Sequence, residues 1–181
     1  MKIDVRADVA KARRTLRSWQ QSALPKATAA ALNRMGDQAR TLAVKELAAV
    51  TGLKQKDVRA GLSRQRATWS KLSTAVIAIG KSLNLIRFGA RQTKAGVSAS
   101  AWGKRRIYPG TFIANQGRTV FRRETVGGKR VGRLPIVPVH GPSLPREMAK
   151  AAVMDKLAQA VQAKWPAEFA RQLQYYLSKL S

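Results

Sequence analysis

Several residue types on which catalysis depends are scarce in this sequence. It has no cysteine, one histidine and only nine acidic residues among 181. Without cysteine there is no disulfide, no thiolate metal site and no cysteine nucleophile. His140 has no second histidine at metal-ligand spacing, and the carboxylates are scattered singly along the chain. We therefore predict no catalytic residues, no cofactor, no metal site and no enzymatic activity.

Long apolar runs are also missing. The longest, from Ala75 to Ile79, is far too short to cross a bilayer. Residues 1–6 are polar and do not resemble a secretion signal. We expect a protein that is not exported and that has neither a membrane partner nor a small-molecule substrate.

Positive charge dominates the composition. The chain has 35 Lys and Arg against 9 Asp and Glu, a formal net charge of +26 and a pI near 11.8. Nineteen of the basic residues lie between Lys54 and Arg133, where Asp57 and Glu124 are the only acidic ones. Repulsion within so basic a surface costs stability unless a polyanion neutralises it. This concentration predicts one basic face, although a merely solvated charged face is the alternative.

Two segments have the periodicity of amphipathic helices. From Pro25 to Gly52 apolar residues recur at three- and four-residue spacing, and glycine often ends a helix. Near the other end, one apolar stripe runs through Val153, Leu157, Val161, Trp165, Phe169, Leu173, Tyr176 and Leu180. We expect Pro166 to kink this second helix. An edge strand over residues 2–5 and a helix over residues 8–20 are predicted at the start.

Short runs broken by turn residues separate the two helices. We predict strands over residues 72–79, 84–90, 96–102, 107–114 and 119–124, and the first of them is apolar on both faces, as in a central strand. Asn115-Gln116-Gly117 and Gly127-Gly128 are typical hairpin turns. The fold class is therefore α+β, with an antiparallel sheet of five or six strands flanked by a long N-terminal helix and a C-terminal helix.

These elements are predicted to form a single domain over residues 1–181. Residues 1–62 are mainly helical in this interpretation, and residues 70–140 form the sheet with its basic hairpins. The C-terminal helix occupies residues 143–181 and is kinked near Pro166.

Basic residues cluster along the predicted hairpins and alternate with Trp102, Tyr108, Phe112 and Phe121. Such side chains could neutralise phosphates with no preference for base sequence. Docking to acidic proteins and plain solvation of hairpin tips remain open. The candidate residues for contact with DNA or an acidic partner are Lys104, Arg105, Arg106, Arg118, Arg122, Arg123, Lys129, Arg130 and Arg133.

Two further patterns concern partners. The aromatic residues near the C-terminus, Trp165, Phe169, Tyr175 and Tyr176, are candidates for a subunit contact, with core packing as the alternative. Gly52 separates the long helix from a short basic one that contains Lys54, Lys56 and Arg59, which is the outline of a helix-turn-helix. An alternative function is therefore sequence-selective or non-specific DNA binding, although a glycine between two helices is commonplace.

Three passages of the sequence together carry a family resemblance. The first is Ala31-Leu32-Asn33-Arg34 and the basic turn after Thr51. The second is Arg106-Ile107-Tyr108-Pro109-Gly110-Thr111-Phe112-Ile113, where Tyr108 is an extra residue before the proline. The third is Arg133-Leu134-Pro135-Ile136 and the proline-rich passage that follows. These passages resemble the minor tail protein Z family of long-tailed phages and prophages, and the similarity covers most of the chain in the same order.

The resemblance implies a structural virion protein, related in role to tail completion and neck proteins, at the head-proximal end of the tail. Tail assembly and head–tail joining would be its function, and its partners would be other tail and neck proteins. We expect a homo-oligomeric ring, possible non-specific DNA contact, and assembly in the host cytoplasm. We also expect Pro109 and Gly110 to set a turn that folds Phe112 and Ile113 into the sheet.

Overall fold

The computed structural model describes residues 13–17, 19–126, 129–130, 132 and 135–179, without the side chains of residues 125–126 and 129–130. The edge strand predicted over residues 2–5 and the Asp8 cap lie outside the described residues. Residues 13–17 are helical, and a π-helical turn, Trp19–Ala23, follows.

Four α-helices follow along the described chain. The long helix α1 spans Leu24–Thr51 and ends at Gly52, whose φ of 78° confirms the glycine stop. A Cβ atom on Gly52 would lie 2.1 Å from the carbonyl oxygen of Ser100. The others are α2 (Gln55–Ala60), α3 (Leu144–Met148) and α4 (Ala151–Ser178), and Pro166 lies inside α4.

The strands are short and lie between α2 and α3. They are β1 (Leu62–Gln65), β2 (Ala75–Ala78), β3 (Arg91–Thr93), β4 (Gly96–Ala99), β5 (Arg106–Pro109), β6 (Thr111–Ala114), β7 (Thr119–Arg123), β8 (Thr125–Val126), β9 (Lys129–Arg130) and β10 (Ile136–Pro138). The α+β class is confirmed, with a long helix near each end of the chain and antiparallel strands between them.

The strands are grouped into small sheets and not into one sheet of five or six strands. Two antiparallel three-stranded sheets have the orders β3-β4-β5 and β10-β7-β6, while β1-β2 and β8-β9 form two-stranded sheets. The turn at Asn115-Gln116-Gly117 joins β6 to β7, and all three residues have positive φ. This confirms the predicted hairpin turn.

One predicted strand is wrong, and a second is shorter and more exposed than predicted. Residues 84–90 form a 3₁₀ turn, Leu85–Phe88, because the Asn84 side chain accepts a hydrogen bond from the backbone N–H of Ile86 and caps that turn. Residues 72–79 contain only the short strand β2, with Ile77 46% and Ile79 59% exposed. The run is apolar but is not a buried central strand.

The chain divides into two compact units. Unit 1 comprises residues 1–40, 64–76 and 156–181, and unit 2 comprises residues 41–63 and 77–155. The prediction of a single domain stays a prediction. The apolar core of unit 1 is built mainly from small side chains, namely Ala23, Ala27, Ala29, Ala31, Met35, Ala67 and Leu157. That of unit 2 is built from larger ones, among them Leu47, Val58, Leu85, Phe88, Val97 and Val120.

Side-chain hydrogen bonds join the two three-stranded sheets of unit 2. The Thr111 hydroxyl accepts from the backbone N–H of Val97 at 3.0 Å and donates to the carbonyl of Tyr108 at 2.6 Å. The Gln92 side-chain oxygen accepts from the backbone N–H of Ile113 at 2.9 Å. These bonds satisfy backbone groups at the strand edges, and they hold the β5–β6 corner against β3 and β4.

Candidate anion-binding surface

The predicted basic residues of unit 2 lie in two groups on different sheets. Lys104, Arg105 and Arg106 lie at the start of β5, and Arg122 and Arg123 lie at the end of β7. Arg118 follows the β6–β7 turn. All are exposed except Arg123, which is half-buried. We call these six residues the basic surface of unit 2. The side chains of Lys129 and Arg130, in β9, and the whole of Arg133 lie outside the described residues.

Arg106 is held between two aromatic rings. Its guanidinium carbon lies 5.2 Å from the ring centroid of Trp102 and 5.0 Å from that of Tyr108, and its Nε donates to the Tyr108 hydroxyl at 2.9 Å. Trp102 has a φ of 56°, an uncommon conformation for a bulky residue. An arginine so stacked keeps its charge while it loses rotamer freedom before any partner arrives.

The Arg105 side chain contacts different groups from those that the Arg106 side chain contacts. Its guanidinium donates to the carbonyl of Gly89 and to the Ser98 hydroxyl, both at 3.2 Å. Part of its donor capacity is therefore used inside unit 2. The side chain is still exposed, so Arg105 combines a local structural contact with a charge that faces solvent.

Arg123 repeats the aromatic support on the other sheet. Its guanidinium carbon lies 5.7 Å from the ring centroid of Phe112, which lies 6.2 Å from that of Phe121. Phe112 and Phe121 are register partners on β6 and β7. The predicted alternation of basic and aromatic residues thus corresponds to direct contacts at Arg106 and Arg123.

The Pro109-Gly110 motif forms a sharp corner. Gly110 has a φ of 69°, and the chain passes there from β5, which pairs with β4, to β6, which pairs with β7. Phe112 and Ile113 are half-buried in β6. The chain turns at Gly110 and passes from one sheet into the next.

The C-terminal aromatic residues lie on α4 in unit 1. The rings of Trp165 and Phe169 stack with centroids 5.5 Å apart, and those of Tyr175 and Tyr176 meet edge to face at 5.3 Å. Trp165, Phe169 and Tyr176 are half-buried, while Tyr175 is 50% exposed. A subunit contact at these residues stays a prediction.

The helix-turn-helix outline corresponds to α1, Gly52 and α2. The second helix has only six residues, and its Val58 is fully buried. Asp57 forms a 4.0 Å ion pair with Arg87. Lys54, Lys56 and Arg59 are exposed. A helix this short offers about one and a half turns, which is little for reading bases in a groove.

Sequence reasoning missed a polar cluster in unit 1. The Asn33 amide donates to the carbonyl of Ala67 at 2.9 Å and accepts from its backbone N–H at 3.0 Å, as a neighbouring strand would. Arg64 donates to the Asn33 side chain at 3.0 Å and bonds Asp37. The signal was an asparagine inside an alanine-rich helix, since such a residue needs a specific partner to be favourable there.

A second polar group in unit 1 surrounds a buried carboxylate. Glu168 is 7% exposed and accepts hydrogen bonds from Arg171 and Gln172, while the Nε of Arg34 lies 3.6 Å away. Burial alone raises the pKa of Glu168, but the bonds from Arg171 and Gln172 and the charges of Arg171 and Arg34 outweigh it. The pKa of Glu168 therefore lies below its ordinary value.

Two further features concern metal binding and membrane spanning. Within that part of the chain, no three His, Cys, Asp or Glu side chains lie close enough together to hold a metal ion. A search of the same residues finds no helix with the length and apolarity needed to span a bilayer.

The residues that carried the resemblance now have structural roles. Asn33 and Arg34 belong to the polar contacts of unit 1, and Pro109, Gly110 and Phe112 form the corner between two sheets. The family model for prophage minor tail protein Z matches residues 8–180. Comparison with curated proteins and with solved structures gives no match. Because the model matches almost the whole chain, the protein belongs to the prophage minor tail protein Z family and is a structural component of the phage tail.

Proposed function

We propose that this protein completes the tail at its head-proximal end and takes part in joining the tail to the head. It would assemble as a ring in the host cytoplasm. The basic surface of unit 2 would contact the DNA that enters the tail, or acidic neighbours at that end. Family membership supports a tail role, and the net charge of +26 supports an anionic partner.

The stacked Arg106 carries this proposal most directly. Trp102 and Tyr108 hold its guanidinium in place at 5.2 and 5.0 Å while the side chain stays exposed. A cation held this way loses little further conformational freedom when it binds a phosphate or carboxylate. Arg123 over Phe112 is a second instance. Aromatic support at both groups favours a binding role over mere solvation of loop tips.

The ring follows from the symmetry of tails. A component seated at the end of a rotationally symmetric tube presents one patch to a different patch of its neighbour, which gives closed heterologous contacts. Exposed or half-exposed aromatic side chains are enriched in such contacts. Trp165, Phe169, Tyr175 and Tyr176 are our candidates for that patch.

Binding of random-sequence duplex DNA across a salt series tests the DNA contact. A variant with Arg106→Ala, Arg118→Ala and Arg122→Ala should bind more weakly at low salt. Its plot of log affinity against log salt should be shallower by roughly one unit for each phosphate that the variant no longer neutralises. Retained far-ultraviolet circular dichroism would show that the variant folds.

The matched control removes three cations from unit 1. Arg13, Arg14 and Arg17 are exposed and helical, and their replacement by Ala gives the same change in net charge. If the slope falls equally in both triple variants, the attraction is a property of the whole chain and the proposed surface is wrong. Binding that depends on base sequence would instead support the helix-turn-helix alternative.

Particle assembly tests the placement in the tail. A phage that lacks this gene should accumulate filled heads and separate tails by electron microscopy, and the wild-type gene supplied in trans should restore joined particles. Normal joining without the protein would contradict tail completion, whatever the outcome of the DNA measurements.

A further inference from the structure

Unit 1 contains a groove whose lining residues are different from those of the basic surface of unit 2. Its widest part, about 490 Å³, lies between the first half of α1, residues 66–69 and Tyr176. Two further depressions, about 340 and 380 Å³, continue along α4. Arg34 lines the first and second depressions, and Arg171 lines the second and third, so the three adjoin. We call them together the unit 1 groove.

The charges along this groove are unequal. Five cations line it, namely Lys26, Arg34, Arg66, Lys164 and Arg171, against the two carboxylates of Asp37 and Glu168. Asp37 bonds Arg64, which is not one of the five, whereas Glu168 pairs with Arg34 and Arg171, which leaves the charges of Lys26, Arg66 and Lys164 in excess. The positive potential of the groove is therefore not cancelled by its own acidic residues.

An ordered loop forms one wall and presents an aromatic side chain. Trp69 is 72% exposed, the highest exposure among the large apolar residues of the described chain. Beside it, Thr68 donates its backbone N–H to the carbonyl of Lys71 and accepts from the N–H of Lys71 at its hydroxyl, both at 3.0 Å. The Asn33 amide fixes Ala67 on the other side. The loop is thus held in place while the indole lies in solvent, which lowers the entropic cost of binding.

We propose that the unit 1 groove binds an acidic segment of a neighbouring protein. Carboxylates of that segment would pair with Lys26, Arg66 and Lys164, and one apolar side chain would pack between Trp69 and Tyr176 over the alanines of α1. The proposal goes beyond the proposed function, because it concerns unit 1 and holds whether or not unit 2 contacts DNA.

The charge and the size of the groove both favour an acidic protein segment as its occupant. A second copy of the chain carries +26 and only nine scattered acidic residues, so it offers no acidic segment. Depressions of 340 to 490 Å³ are within the range that small groups and side chains fill. The lining of the largest depression includes Ala29, Ala30 and Ala67, which suits an apolar side chain better than a phosphate. In this proposal Tyr176 contacts the acidic protein, and Trp165 and Phe169, which do not line the groove, remain the candidates for contact between copies.

The test uses the full chain and a fluorescently labelled, glutamate-rich peptide with one central phenylalanine. Arg66→Glu should weaken binding about fivefold or more, since it replaces an attraction by a repulsion. Trp69→Ala leaves the net charge unchanged and should also weaken binding about fivefold. Arg66 and Trp69 are both exposed, so both variants are expected to fold.

Arg118→Glu is the matched control. It makes the same charge change at an exposed residue of unit 2 and should alter the affinity for the peptide less than about twofold at physiological salt. It should weaken duplex DNA binding, which Arg66→Glu should leave nearly unchanged. Failure of the DNA arm alone would count against the proposed function and not against the groove.

Three outcomes would overturn the groove proposal. Equal weakening by Arg66→Glu and Arg118→Glu would mean non-specific attraction to a basic chain. Full affinity in Trp69→Ala would show that the peptide does not bind at this groove. Equal binding of the same peptide with glutamine in place of glutamate would show that the groove does not select for negative charge. Single-stranded DNA that competes with the peptide and shows the same dependence on Arg66 and Trp69 would make nucleic acid the occupant.

Discussion

Unit 1 and unit 2 bury different kinds of side chain, although both are basic. The fully buried residues of unit 2 include Phe88, Leu47, Leu85 and Val97, whereas the fully buried apolar residues in the described part of unit 1 are Ala27 and Ala31. Each unit also buries a carboxylate, Glu168 in unit 1 and Glu147 in unit 2, and unit 1 buries the amide of Gln172 as well. Small side chains bury little apolar area, so apolar burial contributes less to the stability of unit 1 than to that of unit 2.

Each unit also contains an asparagine that binds the backbone of a distant residue in both directions. Asn33 does so at Ala67, and Asn84 does so at Val120, where it donates at 3.1 Å and accepts at 2.9 Å. The surroundings differ. The side chain of Asn33 also accepts from Arg64, whereas that of Asn84 accepts from the backbone N–H of Ile86. A charged side chain therefore takes part in the contact at Asn33 but not in the contact at Asn84.

The largest expected effect tests the apolar core of unit 2. Phe88→Ala should lower the free energy of unfolding by about 4 kcal/mol, because the ring is 1% exposed and closely packed. A Cβ atom on Gly141 would lie 2.7 Å from that ring. Urea unfolding followed by circular dichroism measures the change. Met35→Ala in unit 1 is the control, and we expect about 2 kcal/mol there. A larger decrease at Met35 would contradict the contrast between the two cores.

The second prediction concerns the two asparagines. Asn33→Ala leaves both backbone groups of Ala67 without their side-chain partner and should cost about 2 kcal/mol. Asn33→Asp should recover about 1 kcal/mol of this, because Arg64 neutralises the new carboxylate, although repulsion from the carbonyl oxygen of Ala67 and from Asp37 one turn away offsets a part. Thermal and urea unfolding give both values.

The same pair of changes at Asn84 serves as the control. Its side chain contacts backbone groups of Val120 and Ile86, so Asn84→Asp places a carboxylate beside a carbonyl oxygen without a cation. We expect no comparable recovery relative to Asn84→Ala. Equal recoveries at both positions would show that Arg64 does not distinguish the two contacts.

Much of the local structure follows from the sequence, and the contacts between distant segments do not. The periodicity from Pro25 and the glycine at residue 52 place α1 within a residue of its observed bounds. The strand predicted over residues 84–90 is wrong because the Asn84 side chain accepts the hydrogen bond from the backbone N–H of Ile86 and so favours a turn over a strand. Leu85 and Phe88, both buried and three residues apart, were the available signal for a helical turn.

The candidate sites divide in the same way. The exposure of the arginines and their alternation with aromatic residues could be expected from the sequence alone. The ring that each arginine contacts could not: Arg106 contacts both Trp102 and Tyr108, and the positive φ of Trp102 is uncommon for a bulky residue. The unit 1 groove was out of reach, since its wall depends on Asn33 binding Ala67, 34 residues further along the chain.

The smallest expected effect, and the one most specific to unit 1, is a dependence on pH. The pKa of Glu168 is lower in the folded protein than its ordinary value of 4.5, because bonds and charges from Arg171, Gln172 and Arg34 outweigh burial. A depressed pKa means that the carboxylate stabilises the fold above pH 4.5, and that this contribution is lost as the pH falls through the folded pKa. Glu168→Gln should therefore cost about 1 kcal/mol at neutral pH.

In acid the difference between wild type and Glu168→Gln should shrink, since protonation neutralises the glutamate that the variant already lacks. Unfolding midpoints measured from about pH 7 down to about pH 3 would show the two curves converging. Glu124→Gln makes the same charge change at an exposed residue of unit 2 and reports the effect of net charge alone. If the Glu168 and Glu124 variants follow the same profile, the acid sensitivity comes from the repulsion among cations over the whole chain. A convergence confined to Glu168→Gln would assign it to the polar interior of unit 1.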